Sequence, residues 1–273
     1  MALCPGPDNS ILIVDLLSFA IYKLGSDFST LSAVYSGTTD KFLLAINFLG
    51  RPGSPGRFFV VAKSIEKLEY FIIHGLWSEA LNTFQPTGGI KIPVKDLKPD
   101  SANLVISLEF SKAQQYLMVS IGNSKWIYAF QLADTIKHYC DFELARHLHS
   151  FTMGSNDLLF VSIRGEQNIV VYKVDWNARQ LKALKAIQIM GTRLIFLEKE
   201  QVLLIGNIKN KYDKITFSTW KLNLRNSEEE ANATSVQFNE APKISCWTKI
   251  NDEVVAYDVH TNSLLQIRYE LLH

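Results

Sequence analysis

The chain is short of the features on which chemistry is usually built. Its 273 residues contain three cysteines, Cys4, Cys140 and Cys246, far apart and odd in number. That excludes a disulfide framework and suits a reducing compartment. Charge of one sign is missing as well: 28 lysines and arginines face 27 aspartates and glutamates, a net charge of +1. No global field draws such a chain onto nucleic acid or anionic lipid. There is no membrane-length apolar run; Ile11–Leu24 is apolar but short, interrupted by Asp15 and preceded by no basic region, a poor span and a poor secretion signal. The sequence has no glycine-rich phosphate loop and no glycine-x-serine-x-glycine elbow. These absences lead us to expect a noncatalytic protein with no cofactor, no small-molecule substrate and no membrane attachment.

What is present is a repeated strand pair. Leu158–Trp176 reads Leu-Leu-Phe-Val-Ser-Ile, a polar turn with Gly165, then Ile-Val-Val-Tyr-Lys-Val-Asp-Trp. Two β-branched and aromatic runs around such a turn mark a hairpin. The pattern recurs at Ile11–Leu24, Phe58–Ile73, Tyr116–Leu132, Val202–Leu222 and Val254–Leu271, with starts 47, 58, 42, 44 and 52 residues apart. Hairpins at about 40–50 residues are the period of β-propeller blades. Phe42–Asn47, Asn103–Phe110, Leu144–Met153, Leu184–Leu197 and Ser235–Phe238 supply further strands. With 47% apolar residues and a repeat from end to end, one all-β domain of about six blades is expected over residues 1–273. Val170 and Tyr172 should share one face and Val171 and Lys173 the other, with Val170 and Val171 both buried between blades.

The irregular stretches are read as follows. Residues 1–10 form a loose lead-in, with no strand ahead of the first hairpin to close a ring. Arg51–Arg57, with two prolines and two glycines, is a turn. Residues 85–101, with Pro86, Gly88, Gly89, Pro93 and Pro99, form a long loop, either a binding feature or a tolerated insertion. Glu228–Glu230 is a solvated charge run, and Asn232-Ala-Thr is a sequon short enough to arise by chance.

Several clusters carry side chains able to do chemistry. His138, Cys140, His147 and His149 are metal-capable, and i,i+2 pairs on a strand share a face. They lack Cys-x2-Cys or His-x3-His spacing, so packed or solvated side chains are the expectation and no metal is. Trp126, Trp176 and Trp220 lie in or after second hairpin arms, where aromatic residues pack between blades rather than stack on bases. Lys209, Lys211 and Lys214 form a small basic turn able to touch a phosphate backbone.

The order of hairpins and flanks resembles the WD-repeat, noncatalytic subunit of the eukaryotic tRNA (guanine-N7)-methyltransferase, the Wuho family. Ser10–Leu24 resembles its leu-val-ala-asp-lys-x-gly-asp-val-tyr-ser strand pair, and Phe58–Phe71 lies over its phe-ile-x-thr-x-asp-arg-asp-glu-lys-ile segment. Tyr116–Phe130 is similar to its leu-leu-leu-ser-x-x-gly-asp blade and Leu158–Leu197 to the next. The likeness spans roughly residues 10–220. It implies a WD-repeat propeller in the nucleus or cytoplasm that stabilises a methyltransferase catalytic subunit, with tRNA reached indirectly. It places the partner contact at Lys63, Ser64, Glu66 and Lys67. The family's asp-arg-asp triplet falls on Lys63, Ser64 and Ile65, so Ser64 stands where a gripping arginine is expected. Serine offers no bidentate contact to a carboxylate. Two blades that the family has before the first hairpin are not seen, so the resemblance implies a truncated and diverged relative, or one that closes its ring another way. A propeller with another partner and a secreted propeller of epilepsy-associated repeats remain alternatives.

Overall fold

The computed structural model describes residues 2–15, 19–51, 54–95, 106–111, 113–122, 124–189, 191–197, 201–209, 214–221, 234–237, 244–250, 253–258 and 263–267. All regular structure among them is β apart from two single 3-10 turns. The first sheet is β1 (Ala2–Pro5), β2 (Ile11–Asp15), β3 (Ala20–Leu24) and β4 (Leu31–Ser36). The second is β5 (Lys41–Arg51), β6 (Ser54–Ser64), β7 (Tyr70–Ser78) and β8 (Thr83–Ile92). The third is β9 (Ile106–Phe110), β10 (Tyr116–Ile121), β11 (Trp126–Leu132) and β12 (Ile136–Glu143). The fourth is β13 (Leu148–Met153), β14 (Leu158–Ile163), β15 (Ile169–Asp175) and β16 (Gln180–Ile187). The fifth is β17 (Arg193–Leu197), β18 (Val202–Lys209), β19 (Lys214–Lys221) and β20 (Thr234–Gln237). The sixth holds β21 (Ile244–Ile250), β22 (Glu253–Asp258) and β23 (Ser263–Ile267). Every sheet is an antiparallel meander in chain order, and the hairpins expected from the sequence are the second and third strands of each.

The chain divides into two compact units, residues 1–94 with 244–273, and residues 95–243. In the second unit the first strands β9, β13 and β17 neighbour one another, so the sheets fan outward from them. The central strand β14 is buried at all six positions. Leu159, Val161 and Ile163 pack with Met118, Ile127 and Phe142 of the third sheet, while Leu158 and Phe160 pack with Leu194, Phe196 and Leu203 of the fifth. A strand covered on both faces therefore reads as an apolar run, here broken only by the buried Ser162, and alternation survives only as which neighbour each residue meets. On β15, Val170 and Tyr172 turn to the third sheet and Val171, 1% exposed, to the fifth; Val170 is half-buried.

In the first unit Phe58, Val60 and Ala62 of β6 pack with Leu12, Val14 and Ile21 of the first sheet, and Phe59 and Val61 are buried on the opposite face. The first and sixth sheets meet here. Strand β21 lies beside β1, and Leu3, Ile11 and Leu24 share a core with Cys246 and Val255.

Three expectations are corrected. Residues 1–10 are not a loose lead-in: β1 pairs with β2 from Ala2↔Val14 to Pro5↔Ile11. The glycine and prolines that suggested looseness form a tight turn, in which the Gly6 N–H donates to the Ser10 carbonyl at 2.8 Å and Asp8 and Asn9 are left-handed. The same turn recurs between β13 and β14, where the Gly154 N–H donates to the Leu158 carbonyl at 2.8 Å and Asn156 and Asp157 are left-handed. Aspartate and asparagine tolerate that conformation best among residues with a side chain. Second, Ser54–Arg57 is strand, not turn; a register shift between Leu49 and Arg51 absorbs the extra residue opposite it. Third, the loop expected at 85–101 is strand as far as Ile92. Pro86 is accommodated because β8 is a sheet edge and because the ladder bulges at His74/Gly75. A Cβ on Gly75 would lie 2.0 Å from the Gln85 carbonyl oxygen, so the bulge requires glycine. Residues 96–101 of that loop lie outside the described residues.

Candidate protein-interaction surface

The turn between β6 and β7 carries Ser64, Glu66 and Lys67, with Lys63 at its shoulder. The Ser64 N–H donates to the Glu69 carbonyl at 2.9 Å and closes the loop, and the Ile65 N–H donates to the Asp40 carbonyl at 2.9 Å, binding the turn to the start of β5. The Ser64 hydroxyl accepts the Lys67 N–H at 3.3 Å. Ser64 thus serves the turn itself, a task an arginine there could not perform. Glu66 and Lys67 are exposed, while Lys63 lies along its strand with its ammonium 6.0 Å from the Tyr70 ring centroid. Glu69 is tied to Lys91 at 2.7 Å, and that hydrogen bond holds its carboxyl below the usual range. Asp40 is likewise lowered by the Lys41 ammonium bonded to it.

The sequence did not single out the apolar part of this tip. Ile65 is 44% exposed and Leu68 52%. Phe42, opposite Lys63 in the β5–β6 ladder, is 36% exposed and stacks on Phe19 with centroids 5.5 Å apart. Two aliphatic side chains at the tip of a turn gain nothing from folding. The chance to find them lay in Ile65 and Leu68 themselves, apolar residues in the run Ser64-Ile-Glu-Lys-Leu-Glu that separates two strand arms.

The other candidates fall elsewhere. In the ladder between β11 and β12, Ala129 pairs with Cys140 and Phe130 with His138, leaving Tyr139 as a bulge. His138 and Cys140 therefore face opposite sides of the sheet, contrary to the i,i+2 expectation. His138 Nε2 lies 2.6 Å from Asp141 Oδ1, whose other oxygen is 2.7 Å from Lys95 Nζ. Burial pushes the Cys140 thiol up to about 11, against a lowering effect of Arg179, and burial pushes His149 down. Among the described residues no three His, Cys, Asp or Glu side chains gather as metal ligands. Trp176 stacks on Tyr116 at 4.1 Å and belongs to the core between the third and fourth sheets, and Trp126 lies beneath the Lys95 ammonium at 4.2 Å. Lys209 and Lys214 pair across the end of the β18–β19 ladder; Lys211, Trp220, Glu228–Glu230 and Asn232 lie, in whole or in their side chains, outside the described residues. No described helix is long and apolar enough to cross a membrane.

No family model matches the chain, and no curated protein matches it. Solved structures do. The Dos1 propeller aligns with 93% of this chain and 63% of its own, at 15% identity and a TM-score of 0.55. The β-propeller domain of Swd1 from Myceliophteria thermophila aligns with 98% and 83%, at 9% identity and 0.58. A putative 6-phosphogluconolactonase from Bacteroides fragilis aligns with 98% and 82%, at 10% identity and 0.64. At such identities the likeness establishes the fold. The chain is an all-β protein of the β-propeller fold expected from its repeated hairpins. That fold also holds a neighbour named as an enzyme, so fold alone does not assign catalysis.

Proposed function

We propose that this chain is a noncatalytic propeller scaffold that holds a protein partner at the β6–β7 turn, and that the partner is the tRNA (guanine-N7)-methyltransferase catalytic subunit implied by the sequence resemblance. The observation that supports it is the exposure of Ile65 and Leu68 on either side of the exposed Glu66 and Lys67. Apolar anchors ringed by charges are what a modest protein interface needs. In this reading tRNA is reached through the partner, and the protein works in the nucleus or cytoplasm. A second reading, a diverged scaffold with another partner, is favoured by Ser64, whose hydroxyl is used in the turn where the family has its arginine. Titration of the catalytic subunit with wild type and Ser64→Arg at two salt concentrations separates them. If the methyltransferase is the partner, wild type binds weakly and Ser64→Arg binds more tightly, most visibly at low salt. Absence of binding by both proteins selects the second reading.

A further inference from the structure

A different surface lies at the other end of β7. The turn joining β3 to β4 is closed by the Gly25 N–H donating to the Thr30 carbonyl at 2.8 Å and the Phe28 N–H to the Gly25 carbonyl at 3.0 Å. Asp27 shapes it, accepting the Ser29 N–H at 3.1 Å and the Ser29 hydroxyl. Its tip residue, Phe28, is left-handed at φ 59° and 47% exposed. A bulky side chain is strained in that region. Asparagine, which tolerates it, occupies it at Asn9, Asn82 and Asn156. Phe19 is left-handed too, but its ring is repaid by stacking on Phe42. Phe28 combines strain with an exposed ring, and nothing in its own fold calls for phenylalanine rather than asparagine.

Phe28 has company. Leu31, three residues on, is 59% exposed, and Leu81, at the β7–β8 turn, is 63% exposed. Lys23, on β3 two residues before the Phe28 turn, links the β1–β2 and β7–β8 turns to it: its ammonium lies 4.9 Å from the Trp77 ring centroid and 3.4 Å from both Asp8 Oδ2 and Asn82 Oδ1. The three turns so joined carry exposed Asp8, Asp27 and Glu79 against the one ammonium of Lys23. The nearby Arg57 is directed over the Phe59 ring at 5.3 Å.

We infer that the Phe28–Leu31–Leu81 surface docks a basic, apolar segment of a partner protein, with leucine-sized side chains set between lysines or arginines. The apolar trio supplies the anchors and the carboxylates of Asp27 and Glu79 select positive charge. Strand β7, nine residues long, separates this surface from the β6–β7 turn by about 30 Å. A scaffold with both surfaces joins two partners.

The test is panning of a phage-displayed random peptide library on the immobilised protein, with Phe28→Asn as counter-selection, followed by fluorescence anisotropy of the enriched peptides. Peptides enriched in leucine with lysine or arginine are expected, bound at least tenfold more weakly by Phe28→Asn and by Glu79→Lys. The Phe28→Asn protein should keep its melting temperature or gain about 2–4 °C from relieved strain. Three results overturn the inference: no peptide preferring wild type, enriched peptides without basic residues, or a lower melting temperature for Phe28→Asn, which would make Phe28 structural. None of these depends on whether the methyltransferase binds the β6–β7 turn.

Discussion

The two units differ in where they place large apolar side chains. Among the described residues, Phe28, Leu31, Phe42, Ile65, Leu68, Leu76 and Leu81 of the first unit are exposed, but only Leu184 of the second. Leu184 is also the simplest to explain, since it is the extra residue where the β15–β16 ladder bulges between Lys185 and Ala183. The second unit turns its apolar side chains inward: β14 is buried throughout, and Trp176, Tyr116 and Phe142 close the seam between two sheets. Both units repeat the same meander, so the fold does not require the difference. Scattered apolar side chains on a surface need no explanation, but Phe28, Ile65, Leu68 and Leu81 lie at turns of one unit, and it is at these turns that we propose partners dock.

The strongest way to break this contrast is a charge on each side of it. Val171→Asp puts an unpaired carboxylate into the core shared with Leu194 and Phe196 and should cost about 3–5 kcal/mol. Leu68→Asp should change stability by no more than about 0.5 kcal/mol. Urea unfolding of both variants checks this; equal effects would erase the distinction between packed and presented side chains.

A somewhat smaller effect belongs to the second unit alone. Glu109 on β9 is only partly exposed and its carboxyl is enclosed by protein, which raises it to about 8, against a lowering hydrogen bond from Thr152. Folded, the group keeps its proton up to that pH; unfolded, it ionises near 4.5. Its contribution is therefore fully present below pH 4.5 and is lost progressively as pH rises through 8, by a few kcal/mol. Melting temperatures of wild type and Glu109→Gln from pH 5 to 9 should diverge, with the variant holding steady where wild type falls. Parallel curves would mean the carboxyl is solvated.

A smaller effect again is expected at Ser64 in the β6–β7 turn. Ser64→Arg removes the acceptor for the Lys67 N–H and should lower stability by about 0.5–1.5 kcal/mol. A stability unchanged within error would show that the hydroxyl does not hold the turn. Because this loss accompanies the added charge, any gain in partner affinity should be read with the melting temperature beside it.

The sequence displayed the hairpins clearly because their strands are covered on both faces and so are apolar almost throughout, as in Leu158–Ile163, where Ser162 alone is polar. First and fourth strands were harder. Strand β16 is exposed along most of Gln180–Ala186, and nothing in Lys182-Ala183-Leu184-Lys185 distinguishes a solvated edge strand from a loop. Strand β1 was hidden by Pro5, Gly6 and Pro7, whose turn chemistry ends a strand as readily as it breaks one. At the candidate site, the charged residues and Ser64 were visible through the resemblance. The apolar tip was not, because period and composition place Ile65 and Leu68 in a strand-rich segment and only the Ser64–Glu69 closure shows them to be outside it. The face-sharing of His138 and Cys140 failed for a related reason: a bulge of one residue reverses alternation, and no local signal announces it.

The central claim, that the β6–β7 tip is presented to a partner rather than packed, is tested most directly by calorimetric titration of the methyltransferase catalytic subunit into wild type and the double variant Ile65→Asp, Leu68→Asp. The account predicts that wild type binds, that the variant binds at least tenfold more weakly, and that their melting temperatures agree within about 2 °C. Equal affinity of the two proteins, or a variant that melts well below wild type, would contradict it; binding by neither protein selects the reading with another partner.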